Sequence, residues 1–180
     1  DHDFSPNNDI QAFIYLHLSQ INQHFLEGTF VEGLDVVPKI ETFLEDYRLQ
    51  IDPHRKLLFY YKIASLYFGA NDYSKCIEYL NKIINWNWNL REDLQCYARL
   101  LHLISHYELK HFDILDSLAR SAYRYMAKMR NLNLVEKEIF EFIRNSFKYY
   151  PEEFPIAFQN LLDKLKKYEG MPQARRAFNY

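Results

Sequence analysis

"KIASLYFGANDYSKCIEYLNKII", residues 62–84, carries two apolar patterns at helical spacing on either side of a small polar turn, Gly69-Ala70-Asn71-Asp72. Before the turn, Leu57, Tyr60, Ala64, Tyr67 and Phe68 recur at three-to-four spacing, and Asp52-Pro53 offers an N-cap followed by a proline in the first turn. After it, Tyr73, Cys76, Ile77, Leu80, Ile83 and Ile84 keep the same period until the asparagines of "NWNWN", 85–89, interrupt it. Two helices joined by so few residues must lie antiparallel, so the stretch predicts a helical hairpin.

The composition agrees with helices throughout. Of 180 residues 48% are apolar, with 15 Tyr and 14 Phe against only 4 Gly and 6 Pro, which disfavours many-stranded folds with frequent tight turns. A net charge of −2 supplies no global field toward nucleic acid or an anionic membrane, so neither is an expected partner. The chain has no run of the roughly 18 apolar residues that a membrane span needs. It opens with no basic-then-apolar leader, and a soluble protein is expected. Cys76 and Cys96 each sit inside an apolar helical pattern, which suits buried reduced thiols and a cytoplasmic compartment. Asp1 in place of a Met, and the abrupt end in "QARRAFNY", are expected of a piece of a longer chain.

The hairpin recurs. Leu100, Leu103, Ile104 and Tyr107 repeat the first-helix spacing, and Phe112, Leu115, Ala119 and Ala122 repeat the second. Leu18, Ile21, Asn22 and Phe25, followed by Phe30, make an earlier and weaker copy. The turn aromatics Phe30, Tyr73 and Phe112 stand 43 and 39 residues apart. Four hairpins are predicted, 9–27 with 30–50, 53–69 with 72–86, 91–109 with 112–130, and 134–149 with 152–168. Asn89 with Glu92 and Asn133 with Glu136 read as N-caps, and Pro151 begins the last helix. Pro38 should kink or divide its helix near Val36-Val37, because it lacks a backbone donor.

Tyr60, Ile63, Ala64 and Tyr67 stand at the separations of the tetratricopeptide signature, and Cys76, Leu80 and Ile83 follow at its second-helix positions. Residues 57–90 therefore resemble a tetratricopeptide repeat, departing from it at Trp88, where a proline usually stands, and at Ile83, where a small residue does. "YFGANDYSKCIEYLNKIIN" and "ARLLHLISHYELKHFDILDSLARSAYRYM" also resemble, more loosely, bacterial proteins with tetratricopeptide-like repeats, and that likeness implies no activity. The fold implied is all-α, a right-handed α-solenoid of about four antiparallel hairpins in a single domain. In that family the first helix of each repeat lines the inner face. The resemblance thus points to Tyr61, Lys62, Ser65 and Phe68, with His102, Ser105 and Glu108, and secondarily to Ser19 and Gln23, as a peptide-binding groove.

Candidate chemistry is sparse. His102 and His106 are four apart on one helix, but Leu103 stands where a zinc hydrolase needs its Glu. Glu108 and His111 make a lone E-x-x-H without the second pair of a di-iron bundle. Cys76 falls at a packing position rather than at a nucleophile's. Arg120, Arg124 and Lys128 share a helix face that reads as solvated, and Trp86 with Trp88 read as a joint between hairpins. The expected function is a non-catalytic scaffold or adaptor, without cofactor or metal, holding a peptide or protein segment in its groove. Two alternatives are a sensor domain that signals peptide binding to another domain, and a self-association module.

Overall fold

The computed structural model describes residues 6–48, 50–86, 90–128, 134–146 and 148–171, and among them it contains helices and connecting turns but no strand. The chain forms two compact units, Asp1–Lys110 and His111–Tyr180. The first holds α1 (Pro6–Glu27), α2 (Phe30–Gly33), a 3-10 turn (Leu34–Val36), α3 (Val37–Asp46), α4 (Pro53–Gly69), α5 (Tyr73–Ile84) and α6 (Glu92–Glu108). The second holds α7 (Phe112–Ala127), α8 (Leu134–Ser146), a 3-10 turn (Pro151–Glu153) and α9 (Phe154–Lys166). No helix among the described residues is long and apolar enough to cross a membrane.

The stretch 62–84 folds back as its turn chemistry requires. Asn71 takes a left-handed conformation, φ 61°. Its N–H donates to the Phe68 carbonyl (3.0 Å) and the Asp72 N–H to that of Tyr67 (2.9 Å), so the last carbonyls of α4 are satisfied in a Schellman-type ending. The Asp72 carboxylate then accepts the Lys75 N–H at 3.0 Å and caps α5. Asp52 does the same for α4, accepting the His54 N–H at 3.1 Å ahead of Pro53. Gly28 (φ 71°) and Lys110 (φ 59°) are the other left-handed turn residues of this kind. Each of the three lies two positions before the aromatic residue that opens the next helix, Phe30, Tyr73 or Phe112. One backbone device thus recurs at the spacing seen in the sequence.

Pro38 divides the helix where expected. With no N–H to offer Leu34, it cannot sustain the α-helical ladder. The backbone passes through the 3-10 turn and restarts at Val37 with Pro38 in the first turn. The predicted 30–50 segment also ends early, at Asp46, where Tyr47 is the C-cap. Of the predicted caps, Asn89 and Asn133 lie outside the described residues. α6 starts at Glu92 behind Arg91, φ 49°, whose guanidinium binds the Asp93 carboxylate at 2.7 and 3.0 Å. Pro151 opens the 3-10 turn rather than α9, which begins at Phe154 with Pro155 in its first turn.

In the first unit α4 is the central rod, packed against α1, α2, α5 and α6, and α5 lies between α4 and α6. Its core is Leu57, Phe59, Ile63, Ala64, Leu66, Leu80 and Ile83, all fully buried. Two glycines set how close the helices come. A Cβ on Gly33 would stand 2.8 Å from Leu66 Cδ2, and one on Gly69 would stand 2.4 Å from the Phe30 ring. The Arg55 guanidinium donates to Gln11 Oε1 at 2.5 Å, tying α4 to α1. In the second unit α7 buries Leu115, Ala119, Ala122 and Met126, one stripe at helical period. There α8 and α9 meet through the Phe142–Phe158 rings (centroids 4.7 Å) and the Lys164–Glu138 ion pair (2.8 Å).

Candidate functional site

Tyr61, Lys62, Ser65 and Phe68 follow one another at helical spacing on α4, and all four are half-buried. Each is held by a neighbour or belongs to a local bond. The Ser65 hydroxyl donates to the Tyr61 carbonyl at 2.8 Å, a bond along the helix that leaves its oxygen lone pairs available. Lys62 Nζ lies 5.0 Å from the centroid of the Phe25 ring of α1, and burial lowers its pKa. The Phe68 ring meets Tyr73 edge to face at 5.4 Å. These four give a strip with a cation, an acceptor oxygen and two aromatic rings, bordered by α1.

The α6 positions differ from the expectation. Ser105 is fully buried, its hydroxyl donating to the Leu101 carbonyl at 2.9 Å and standing 3.4 Å from Cys76 Sγ. His102 is buried as well, at 9% exposure. Both side chains belong to the packing of α6 inside the unit, and neither lines an open face, because α5 and α6 pack closely where a small hydroxyl fits against a thiol. Glu108 is exposed. On α1, Ser19 and Gln23 are exposed, Gln23 donating to Glu27 at 2.8 Å.

Burial also defines the reactive candidates. The Cys76 thiol is pushed up to about 11 by desolvation, with the Ser105 hydroxyl opposing the shift, so it stays protonated at neutral pH. Burial, then the neighbouring His106 and Arg99 charges, bring His102 down to about 4, so its ring is neutral. The His102 and His106 rings are 4.5 Å apart and tilted. Among the described residues no group of three or more His, Cys, Asp or Glu is placed to hold a metal ion. Arg120 pairs with Asp116 in solvent, and Arg124 and Lys128 are exposed. Trp86 packs against the core, whereas Trp88 lies outside the described residues.

Sequence reasoning missed the opposite side of α4. Tyr60 and Tyr67 converge there on Tyr79 of α5, with centroids 6.3 and 5.6 Å away. The Tyr79 hydroxyl donates to Glu41 of α3, and Lys82 Nζ sits 4.3 Å from the Tyr79 ring centroid. Burial and then the Glu41 carboxylate raise the Tyr79 pKa, so the phenol is a fixed donor that links α3, α4 and α5. The seven-residue spacing of Tyr60 and Tyr67 was the available signal, but Glu41 comes from a separate helix. A cavity of about 250 Å³ lies between α8 and α9, bordered by Glu141, Phe142, Asn145, Tyr149, Ile156 and Asn160.

No family model, no curated protein and no solved structure matches the chain.

Proposed function

We propose that the chain is a non-catalytic protein–protein interaction module, and that an extended peptide or protein segment docks along the α4 strip. The observation that carries this reading is the half-buried run of Tyr61, Lys62, Ser65 and Phe68, which sets a cation, a hydroxyl and two aromatic rings along α4. An extended peptide needs hydrogen-bonding partners for its backbone and apolar contacts for its side chains, and this strip offers both. Further support comes from the lateral arrangement of the first unit. α1, α4 and α6, the first helices of the successive hairpins, pack side by side, α4 touching both others. Neighbour-to-neighbour packing of this kind supports a tetratricopeptide-like reading, as do the three left-handed turn residues Gly28, Asn71 and Lys110.

A photo-crosslinking amino acid placed at Ser65, with another at exposed Glu78 as control, tests the assignment. The expected result is crosslinked protein partners at position 65 only, lost in Tyr61→Ala/Phe68→Ala while helicity is retained. Equal capture at both positions, or undiminished capture in the double variant, moves the interface away from α4. A second reading, self-association, is favoured by α9, which leaves Ile156, Phe158 and Leu162 exposed at 69%, 53% and 46%. Sedimentation of Ile156→Asp/Leu162→Asp beside the parent chain separates the two, since only self-association predicts a change in mass.

A further inference from the structure

The cleft between α1 and α3, remote from the α4 strip in sequence, has the composition of a small-ligand site. Its volume is about 570 Å³, within the several-hundred-Å³ range typical of ligand pockets. Its apolar wall is a run of rings: His17 stacks on Phe13 at 3.8 Å, Phe13 on Phe43 at 3.7 Å, and Phe43 meets Tyr47 at 4.8 Å. Leu16, itself 55% exposed, and Val36 complete the apolar lining.

One polar group within this wall is both buried and unspent. His17 is only 7% exposed, and its Nδ1 lies 2.9 Å from the Phe13 carbonyl. A carbonyl oxygen only accepts, so Nδ1 carries the proton. With Nδ1 as the donor, the acceptor position of the imidazole is Nε2, and among the described residues Nε2 has no partner. Among the described residues no buried side-chain nitrogen or oxygen lacks a hydrogen-bond partner, so Nε2 keeps some exposure, on a ring that lines the cleft. At the rim, Lys39 and Asp46 are two helical turns apart on α3, roughly 10 Å. Neither has an ion-pair partner among the described residues. The Thr42 hydroxyl spends its proton on the Pro38 carbonyl at 3.0 Å.

We propose that this cleft binds a planar aromatic ring carrying an O–H or N–H donor, a phenol or an indole. With the two faces of Phe13 covered by His17 and Phe43, the ring packs against Leu16, Val36 and the edge of Phe13, and its donor meets His17 Nε2. Apolar packing alone would accept any arene of suitable size, whereas an acceptor nitrogen in an apolar wall selects for the donor. The ring reaches the site either free or as the side chain of a short peptide, whose amino end pairs with Asp46 and carboxylate end with Lys39.

Titration of the full chain, followed by NMR, with p-cresol against toluene and indole against 1-methylindole decides it. The donor-bearing member of each pair should bind saturably and about five- to tenfold more tightly, the worth of one hydrogen bond. The imidazole ¹⁵N signal of His17 Nε2 should move on saturation while that of Nδ1 stays, a readout that requires no substitution. In folded His17→Phe the two members of each pair should bind alike. An Ala-Tyr-Ala peptide with free termini separates the sources: tighter binding than p-cresol assigns a peptide-borne ring, and equal or weaker binding a free one. Absence of saturable binding by p-cresol and indole, equal affinity within each pair, or an unmoved Nε2 signal overturns the proposal.

Discussion

Gly69 and Ala64 show how little room single positions in α4 leave. The hydrogen of Gly69 faces the Phe30 ring, where a methyl would intrude to 2.4 Å of atoms near the base of that side chain. Phe30 is also held edge-on by Phe25 at 5.7 Å, so it cannot swing clear without disturbing α1. Gly69→Ala is expected to cost about 1–3 kcal/mol despite the better helix propensity of alanine, as is Ala64→Leu at its fully buried site. Chemical denaturation of both variants checks this, and unchanged midpoints would show that these helices are not in tight contact. His102 makes a second prediction at this scale. Its folded pKa of about 4 lies below the ordinary histidine value, so the unfolded chain binds the extra proton in the window between them. Stability from this group is complete above about pH 6.5 and falls as the pH drops toward 4, by up to about 3 kcal/mol. His102→Gln should flatten the stability profile between pH 5 and 7 relative to the parent chain, and identical slopes would remove His102 as the cause.

Among the elements, termini follow local chemistry and faces do not. Asp52, Asp72, Asn71 and Pro38 act on backbone groups within a few residues of themselves, so their effects on α4, α5 and the α2–α3 break were legible in the sequence. The burial of Ser105 and His102 was not, since the same helical spacing serves a face turned to solvent or to a neighbour, and α5 decides which. For the same reason α9 reads as a helix in the sequence, while its second apolar side becomes evident only when Phe142 and Glu138 occupy the first. Hydrogen exchange should reflect this difference. Amides of α4 and α5, built around fully buried Leu57, Ile63, Leu66, Leu80 and Ile83, are expected to exchange slowest, and those of α9 at least tenfold faster. Comparable protection in α9 would mean that its exposed residues are covered in solution.

For the whole molecule, the two thiols report the integrity of the first unit. Cys76 and Cys96 are both buried. A Cys76 pKa of about 11 leaves about one thiol in a thousand ionised at pH 8. Iodoacetamide at that pH should label Cys76 only after denaturant unfolds the unit, and prompt labelling of the native chain would contradict its packing against Ser105. Sequence alone determined the helical class, the sharp reversal at residues 69–72 and the break before Pro38. Each of these follows from hydrogen bonds or periodicity within one or two turns of chain. Tertiary structure alone decided that Ser105 and His102 face inward, that Tyr79 binds Glu41 from another helix, and that His17 lines a cleft beside α3. Those outcomes depend on which surfaces are brought together across long separations in the chain, and a residue's own neighbours in sequence carry no record of that meeting.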